Sequence, residues 1–397
     1  MSLVRIKPHD PVVARDGRPF GAGEGGNRAR SLDWIYPSVV AGAVRTVLGK
    51  ALAGEAKRPF DDPQLVARVK RIAVAGPLLE VAEVLYLPAP RDFFAYREGE
   101  RQLHLALRPR PLLDGEGVDL PPGLWPMEFT TNAKPAPSPS FWRVQDYARW
   151  LATDDPEGFA PADGHGLLPK EERVHVQIDP QTGRAEDGKL YTTQTLVFND
   201  IPLERPDGRT RVVNAVARAE AAGDSEAASL LAGLAELHPF GGERRLAKLE
   251  GSPDESAWSC PEEIRKALAR AGGVRLGLAT PAIFAGGWRP GWLDRDSLEG
   301  TLPGSGVRVR LKGACVDRWR PLSGWNLEKG RRGPKPIRRL VPAGAVYFFE
   351  LCDGAGSGSA LADWWLHPVS DEEQDRRDGF GLATYGVWER RSGEGRN

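Results

Sequence analysis

The stretch Leu3–Ala14, LVRIKPHDPVVA, alternates apolar and polar residues, the pattern of a strand with one buried face. Residues 36–54, YPSVVAGAVRTVLGKALAG, change period. Val39, Val40, Ala43, Val44, Val47 and Leu48 recur at helical spacing, with Ser38 as the expected N-cap and Gly54 as the stop. Between strand and helix lies RDGRPFGAGEGGNRARS, residues 15–31, with four arginines, five glycines and almost nothing to bury. The N-terminus of the helix that carries Arg45 points back at this loop.

Working outward, DDPQLVARVKRIAVAGPLL (61–79) reads as a second helix turning into a strand, and EVLYLPAPRDFF (83–94) as another strand. From about 96 to 172 the pattern dissolves into proline-rich loops, with one helix expected near SFWRVQDYARWLA (140–152). A stretch this long without regular structure is often functional or a docking surface. Pattern returns in 174–198, where QTG and EDG signal a hairpin-like element. DSEAASLLAGLAEL (224–237) is an amphipathic helix, and HPFGGERRLAKLEG (238–251) a glycine turn entering a strand. Strand–helix–strand, insertion, strand–helix–strand is the element order of a ferredoxin-like (RRM-like) unit. Residues 256–397 read as a second, more irregular domain. The expectation is an α+β protein of two ferredoxin-like domains, 1–255 and 256–397, the first with an insertion over 96–172.

Length and composition bound the function. The chain has 397 residues, 41% hydrophobic and 27% charged, so it buries real cores. No apolar run reaches membrane-spanning length and MSLVRIKPHD has no signal-peptide apolar region, so a cytoplasmic protein without membrane contact is expected. The cysteines, Cys260, Cys315 and Cys352, are odd in number and far apart, which fits neither a disulfide framework nor a zinc site. Lys plus Arg equals Asp plus Glu at 54 each. Clustering, not the total, sets the local field, and the clusters NRARS (27–31), GGERRLAK (241–248) and EKGRRGPKPIRR (328–339) are dominated by arginine, whose planar fork suits phosphates.

Several chemistries find no support. The six histidines lack ligand spacing, and no H-E-x-x-H is present. GLATYG is not a nucleophile elbow, and GEGGNRARS is not a phosphate loop of the G-x-x-x-x-G-K-[ST] type. GFGLATYG at the C-terminus approaches a dinucleotide fingerprint but lacks the following helix and acidic residue. No catalytic residue, metal or cofactor is expected. What remains is glycine, which lets backbone amides approach a phosphate, arginine, which supplies charge, and tryptophans such as Trp288 and Trp325 beside such loops, which can stack on bases or belong to a core. RNA recognition favours loops and exposed aromatics of this kind.

The motifs then become specific. DPVVARDGRPFGAGEGG followed by YPSVVAGAVRTVL resembles the N-terminus of the third-subunit family of Cmr complexes, RAMP proteins of type III-B CRISPR effectors. TGRAEDGKLYTTQ, FGGERRLAKLE, LATPAIFAGGWRP, SGWNLEKGRRGPKPIRRLVPAGAVYFFE and GFGLATYGVW resemble further blocks of that family in the same order. The 96–172 insertion shows no match. The resemblance implies two ferredoxin-like domains and a non-catalytic subunit in antiviral defence. It implies three partners: the 5′ handle of the crRNA, the large polymerase/cyclase-like Cmr subunit, and a neighbouring RAMP backbone subunit.

On that reading the opening loop, through Arg15, Gly17, Arg18, Arg28, Arg30 and Ser31, clamps the handle's backbone. Arg45, Gly241, Gly242, Arg244, Arg245, Gly379, Gly381 and Gly386 complete the cradle, Lys335 and Arg338 extend it, and Trp288 and Trp325 stack. Internal readings stand beside these: Glu243 pairs with an arginine to hold its loop, and Asp16 orders Arg18. The competing function is an RNA endonuclease that processes the guide precursor, as histidine-bearing RAMP relatives do. The arginine loops contain no histidine; His9 and His238 are the nearest in sequence.

Overall fold

The computed structural model describes residues 1–15, 28–54, 59–154, 159–162, 164–198, 212–253, 256–326, 330 and 333–389. The chain forms two compact units, each assembled from three segments. The first contains Met1–Glu83, Leu167–Asp254 and Pro321–Arg339; the second contains Val84–Gly166, Glu255–Arg320 and Leu340–Asn397. In chain order the principal helices are α1 (Pro37–Leu52), α2 (Pro63–Lys70), α3 (Val144–Leu151), α4 (Ser225–Ala232) and α5 (Glu262–Leu268). The principal strands are β1 (Ser2–Pro8), β2 (Ala73–Val81), β3 (Val213–Glu220), β4 (Leu246–Ser252), β5 (Gly273–Leu278), β6 (Arg308–Cys315), β7 (Val346–Leu351) and β8 (Leu382–Trp388).

In the first unit the strands lie in the order β4-β1-β3-β2, every neighbour antiparallel. The strand Ala235–Pro239 extends the sheet outside β4. Leu3, Val4 and Ile6 of β1 are buried, and Val4 sits opposite Ala217 on one side and Gly251 on the other. Arg5 reaches across β3 to Glu80 at 3.0 Å, and Asn214 donates to the same carboxylate at 3.0 Å. α1 packs on β2, α2 and α4. Its N-cap is Tyr36 rather than Ser38, because Pro37 with its preset φ takes the first helical position. Gly54, at φ +57, follows the helix end as expected. The helix expected over 224–237 stops at Ala232, and the residues after Gly233 turn into the edge strand.

In the second unit the order is β6-β7-β5-β8, again antiparallel throughout. Strand for strand this repeats the first unit: in each, the order is fourth-first-third-second. No α-helix fills residues 279–307, between β5 and β6, where α1 and α2 occupy the matching place in the first unit. Instead α5 and α3 pack on β8. The helix expected near 140–152 forms as α3. The loops expected from residue 96 begin inside a hairpin, Phe93–Glu98 with Arg101–Ala106, that pairs Tyr96 with Leu103. The whole is a mixed α+β fold with mostly antiparallel sheets. No helix of the described residues is long and apolar enough to cross a membrane.

Candidate nucleic-acid interface

Beyond Pro8 the chain leaves β1 but stays tied to the first unit. The amides of His9 and Asp10 donate to the Leu246 carbonyl at 2.9 and 3.3 Å, and the Leu246 amide donates to Asp10 Oδ2 at 2.9 Å. Val12 and Leu196 exchange two backbone hydrogen bonds of 2.8 Å. Val12, Val13 and Ala14 are buried, and Arg15 emerges exposed.

The returning strand closes the neck of the opening loop. Arg15 and Ser31 form a bridge pair, the Leu32 amide donates to the Ala14 carbonyl at 2.7 Å, and Ser31 Oγ donates to the same carbonyl at 3.2 Å. Ser31 is 7% exposed, so its hydroxyl serves the neck. Arg28 and Ala29 run parallel to Thr192 and Thr193. Arg28 pairs with Glu172, which also accepts from Gln194 Nε2 at 2.6 Å. The Gln194 bond first, and Arg28 after it, hold the Glu172 carboxyl below its ordinary pKa. Arg30 is exposed and has no side-chain partner among the described residues. Gly17 and Arg18 lie outside the described residues.

The glycine turn docks on this neck. The Gly242 amide donates to the Val13 carbonyl at 2.8 Å. A Cβ on Gly241 would lie 2.7 Å from that same oxygen, at φ +75, so only glycine fits. Glu243 and Arg244 follow at φ 57 and 54, left-handed backbone that a non-glycine residue adopts at a cost. This turn projects the Arg244 guanidinium into solvent with no partner among the described residues. Arg245 pairs with Glu243 at 3.3 Å, so the internal reading of that glutamate describes Arg245 and not Arg244. Arg15, Arg28, Arg30, Gly241, Gly242, Arg244 and Arg245 therefore belong to one surface gathered around Val13.

The supporting ribbon pairs Lys170–Ile178 with Ala185–Leu196. On one face His175 stacks on Tyr191 at 5.0 Å and bonds Thr193 Oγ1 at 2.8 Å. On the other, Val174, Val176 and Leu190 are 67%, 42% and 58% exposed, a contiguous apolar stripe turned to solvent. Two cations of this ribbon escape sequence reading. Lys170 bonds Asp33 Oδ1 at 2.6 Å beside Ser31. Arg173 is bound to Glu171 at 2.6 Å; that bond, and then the charges of Asp10 and Glu243, push its pKa up. The charge run KEER, opening an otherwise apolar-alternating strand, was the available signal.

Other expected residues are used elsewhere. Arg45 is 9% exposed, and its Nε and Nη2 donate to the Ile72 carbonyl at 3.0 and 2.8 Å. It ties α1 to the start of β2 and does not reach the surface. Gly379, Gly381 and Gly386 are buried within the second unit. Gly379 O accepts from Thr280 Oγ1 at 2.7 Å, the Gly381 amide donates to Pro281 O at 2.8 Å, and a Cβ on Gly386 would lie 2.6 Å from the Leu151 carbonyl. At Gly381 and Gly386 the lack of a side chain lets chain approach chain, and with Gly379 also buried there is no open phosphate cradle in this region. Lys335 and Arg338 are exposed. Trp325 sits on a two-residue strand opposite Pro334. Trp288 is 40% exposed on a loop of the second unit. Among the described residues no group of three or more His, Cys, Asp or Glu side chains could hold a metal ion.

The family model described as CRISPR-associated protein (Cas_Cmr3) matches residues 4–388. Among solved structures, the chain is similar to one from the type III-B Cmr-beta complex bound to cognate target RNA and AMPPnP (16% identity, 87% of this chain, 86% of that chain, TM-score 0.48). It is also similar to one from that complex bound to cognate target RNA (17%, 87%, 86%, TM-score 0.46). A third likeness is to a chain of the Csm3-Csm4 subcomplex of the type III-A interference complex (9%, 90%, 94%, TM-score 0.39). No curated protein matches.

Proposed function

The chain belongs to the Cas_Cmr3 family of CRISPR-associated proteins, and on that premise we propose that it is the guide-binding subunit of a type III-B CRISPR effector complex, holding the crRNA 5′ handle in the cytoplasm. The observation that carries this reading is the pair Arg30 and Arg244. Both are exposed, neither has a partner among the described residues, and both are presented from the neck around Val13. Cations held ready on stiff backbone, beside a glycine turn, are what a phosphate backbone requires. The repeated strand order β4-β1-β3-β2 and β8-β5-β7-β6 supports reading both units as ferredoxin-like. The exposed apolar stripe of Val174, Val176 and Leu190 supports protein partners that cover it, the large polymerase/cyclase-like subunit or a neighbouring backbone subunit.

The reading is of binding without cleavage. The test is binding of the full chain to guide RNA with and without its 5′ handle, across a salt series, for the wild type and for Arg30→Ala/Arg244→Ala. Loss of the handle should weaken binding. The variant should have a salt slope shallower by about 1.4, because each single-strand phosphate that a cation neutralises adds about 0.7 to the slope. The RNA should stay intact in EDTA. A cut at one position would transfer the reading to the endonuclease, and an unchanged slope would mean that neither arginine meets the RNA backbone.

A further inference from the structure

At one end of the second unit's sheet, the register pairs Cys315, the last residue of β6, with Val346, the first of β7, and Val346 with Gly277 near the end of β5. The loops after β5 and β6 therefore leave from the same place. The second opens with Asp317-Arg318-Trp319-Arg320, all exposed, Trp319 at 44%. Asp317 is held by Arg91 at 2.9 Å, and the Arg91 amide donates to the Gly344 carbonyl at 2.9 Å. The root of this segment is thus fixed and its one carboxylate is neutralised. Arg318 and Arg320 have no side-chain partner among the described residues.

The loop after β5 presents Trp288 on rigid backbone. Tyr347 Oη donates to the Trp288 carbonyl at 2.5 Å, Asp371 accepts from the amides of Ala285 and Gly291 at 2.6 and 2.9 Å, and Ala282 pairs with Val341. One sheet end thus carries two exposed indoles and, in a single short run, two uncompensated guanidinium groups. Within residues 279–307 and 316–320, Trp288 and Trp319 are the large apolar side chains turned singly to solvent, and the groups flanking Trp319 are cations. That combination fits stacked bases joined by phosphates better than an apolar protein face.

We propose that this sheet end is a contact site for single-stranded nucleic acid, with Trp319 stacking on a base and Arg318 and Arg320 holding the adjoining phosphates. It uses none of the residues of the first unit's arginine loops.

The test uses the full chain and a fluorescein-labelled oligouridylate over a salt series, with circular dichroism as the check on folding. Trp319→Ala should weaken binding roughly tenfold and Trp319→Phe should restore most of it, because a phenyl ring still stacks. Arg318→Ala/Arg320→Ala should lower the salt slope by about 1.4. The comparison variant is Arg30→Ala/Arg244→Ala. If it alone weakens binding, the arginine-loop reading survives and this site falls. If the Trp319 and Arg318/Arg320 variants keep their RNA affinity yet lose a protein subunit from the assembled complex, the surface is a protein interface and the proposal is overturned.

Discussion

Arg275 and Asp92 meet at 2.7 Å with neither side chain exposed to solvent. The same carboxylate accepts from Arg108 Nη1 at 2.9 Å and Trp150 Nε1 at 2.9 Å. Arg275 also donates to the carbonyls of Val387, Trp150 and Thr153, each at 2.7 Å. Burial, and then the neighbouring Arg108 charge, push the Arg275 pKa down to about 10, against the pull of Asp92. It is still protonated at neutral pH. Asp92→Ala would leave two buried guanidinium groups without their shared anion. The expected cost is about 3–5 kcal/mol, the range for breaking a buried pair from one side. Chemical denaturation followed by tryptophan fluorescence measures it, and a loss below about 1 kcal/mol, ordinary for a point substitution, would show that the site relaxes around the vacancy.

That pair also shows where sequence reading stops. VRLGLA reads as a strand, and β5 is one; the alternating apolar residues say so locally. An arginine within it reads as a surface position, because its neutralising Asp92 lies 183 positions away. The glycines stop sequence reading in the same way. Gly241 and Gly381 both have positive φ and both sit where a Cβ would strike a neighbour, 2.7 Å from Val13 O in one case and 2.7 Å from Ser370 Oγ in the other. Sequence shows that something must approach a glycine closely. It does not show whether the approaching group is the chain itself or a ligand, and at Gly241, Gly381 and Gly386 it is the chain. Arg30 and Arg244 were legible as surface positions because charge without apolar residues has no place in a core. Trp319 lies between arginines just past a strand, with no glycine to mark its exposure.

Arg45 and Arg244 separate the two uses of arginine by experiment. Arg45→Ala removes both donors from the buried Ile72 carbonyl. It should cost about 1–3 kcal/mol of stability, the penalty for an unsatisfied buried group, and leave the salt slope of RNA binding unchanged. Arg244→Ala at an exposed position should change stability by no more than about 0.5 kcal/mol and lower the slope by about 0.7. The opposite pattern, a slope that responds to Arg45 alone, would place the phosphate contact on α1.

Acid should reach the first unit through Asp224. This residue caps α4, accepting from the Ala227 amide at 3.1 Å, and takes Arg68 of α2 on both oxygens at 2.6 and 2.7 Å. The Arg68 bonds first, and the Ala227 bond after them, lower its pKa from 3.8 to about 2. A carboxylate whose pKa is lower in the folded state contributes its stabilisation in full above the ordinary value. That contribution is lost as pH falls through the folded one. The window is therefore about pH 4 down to about pH 2. Asp224→Asn keeps an oxygen for the cap and removes the charge. The variant should be less stable than wild type at pH 7, and the two denaturation midpoints should converge as pH falls through that window. Glu250, also lowered to about 2 by Lys248 and Lys7, titrates in both proteins and cancels in the difference. A difference between the two proteins that stays constant from pH 7 to pH 2 would mean that Arg68 and Asp224 do not act as an ion pair in solution.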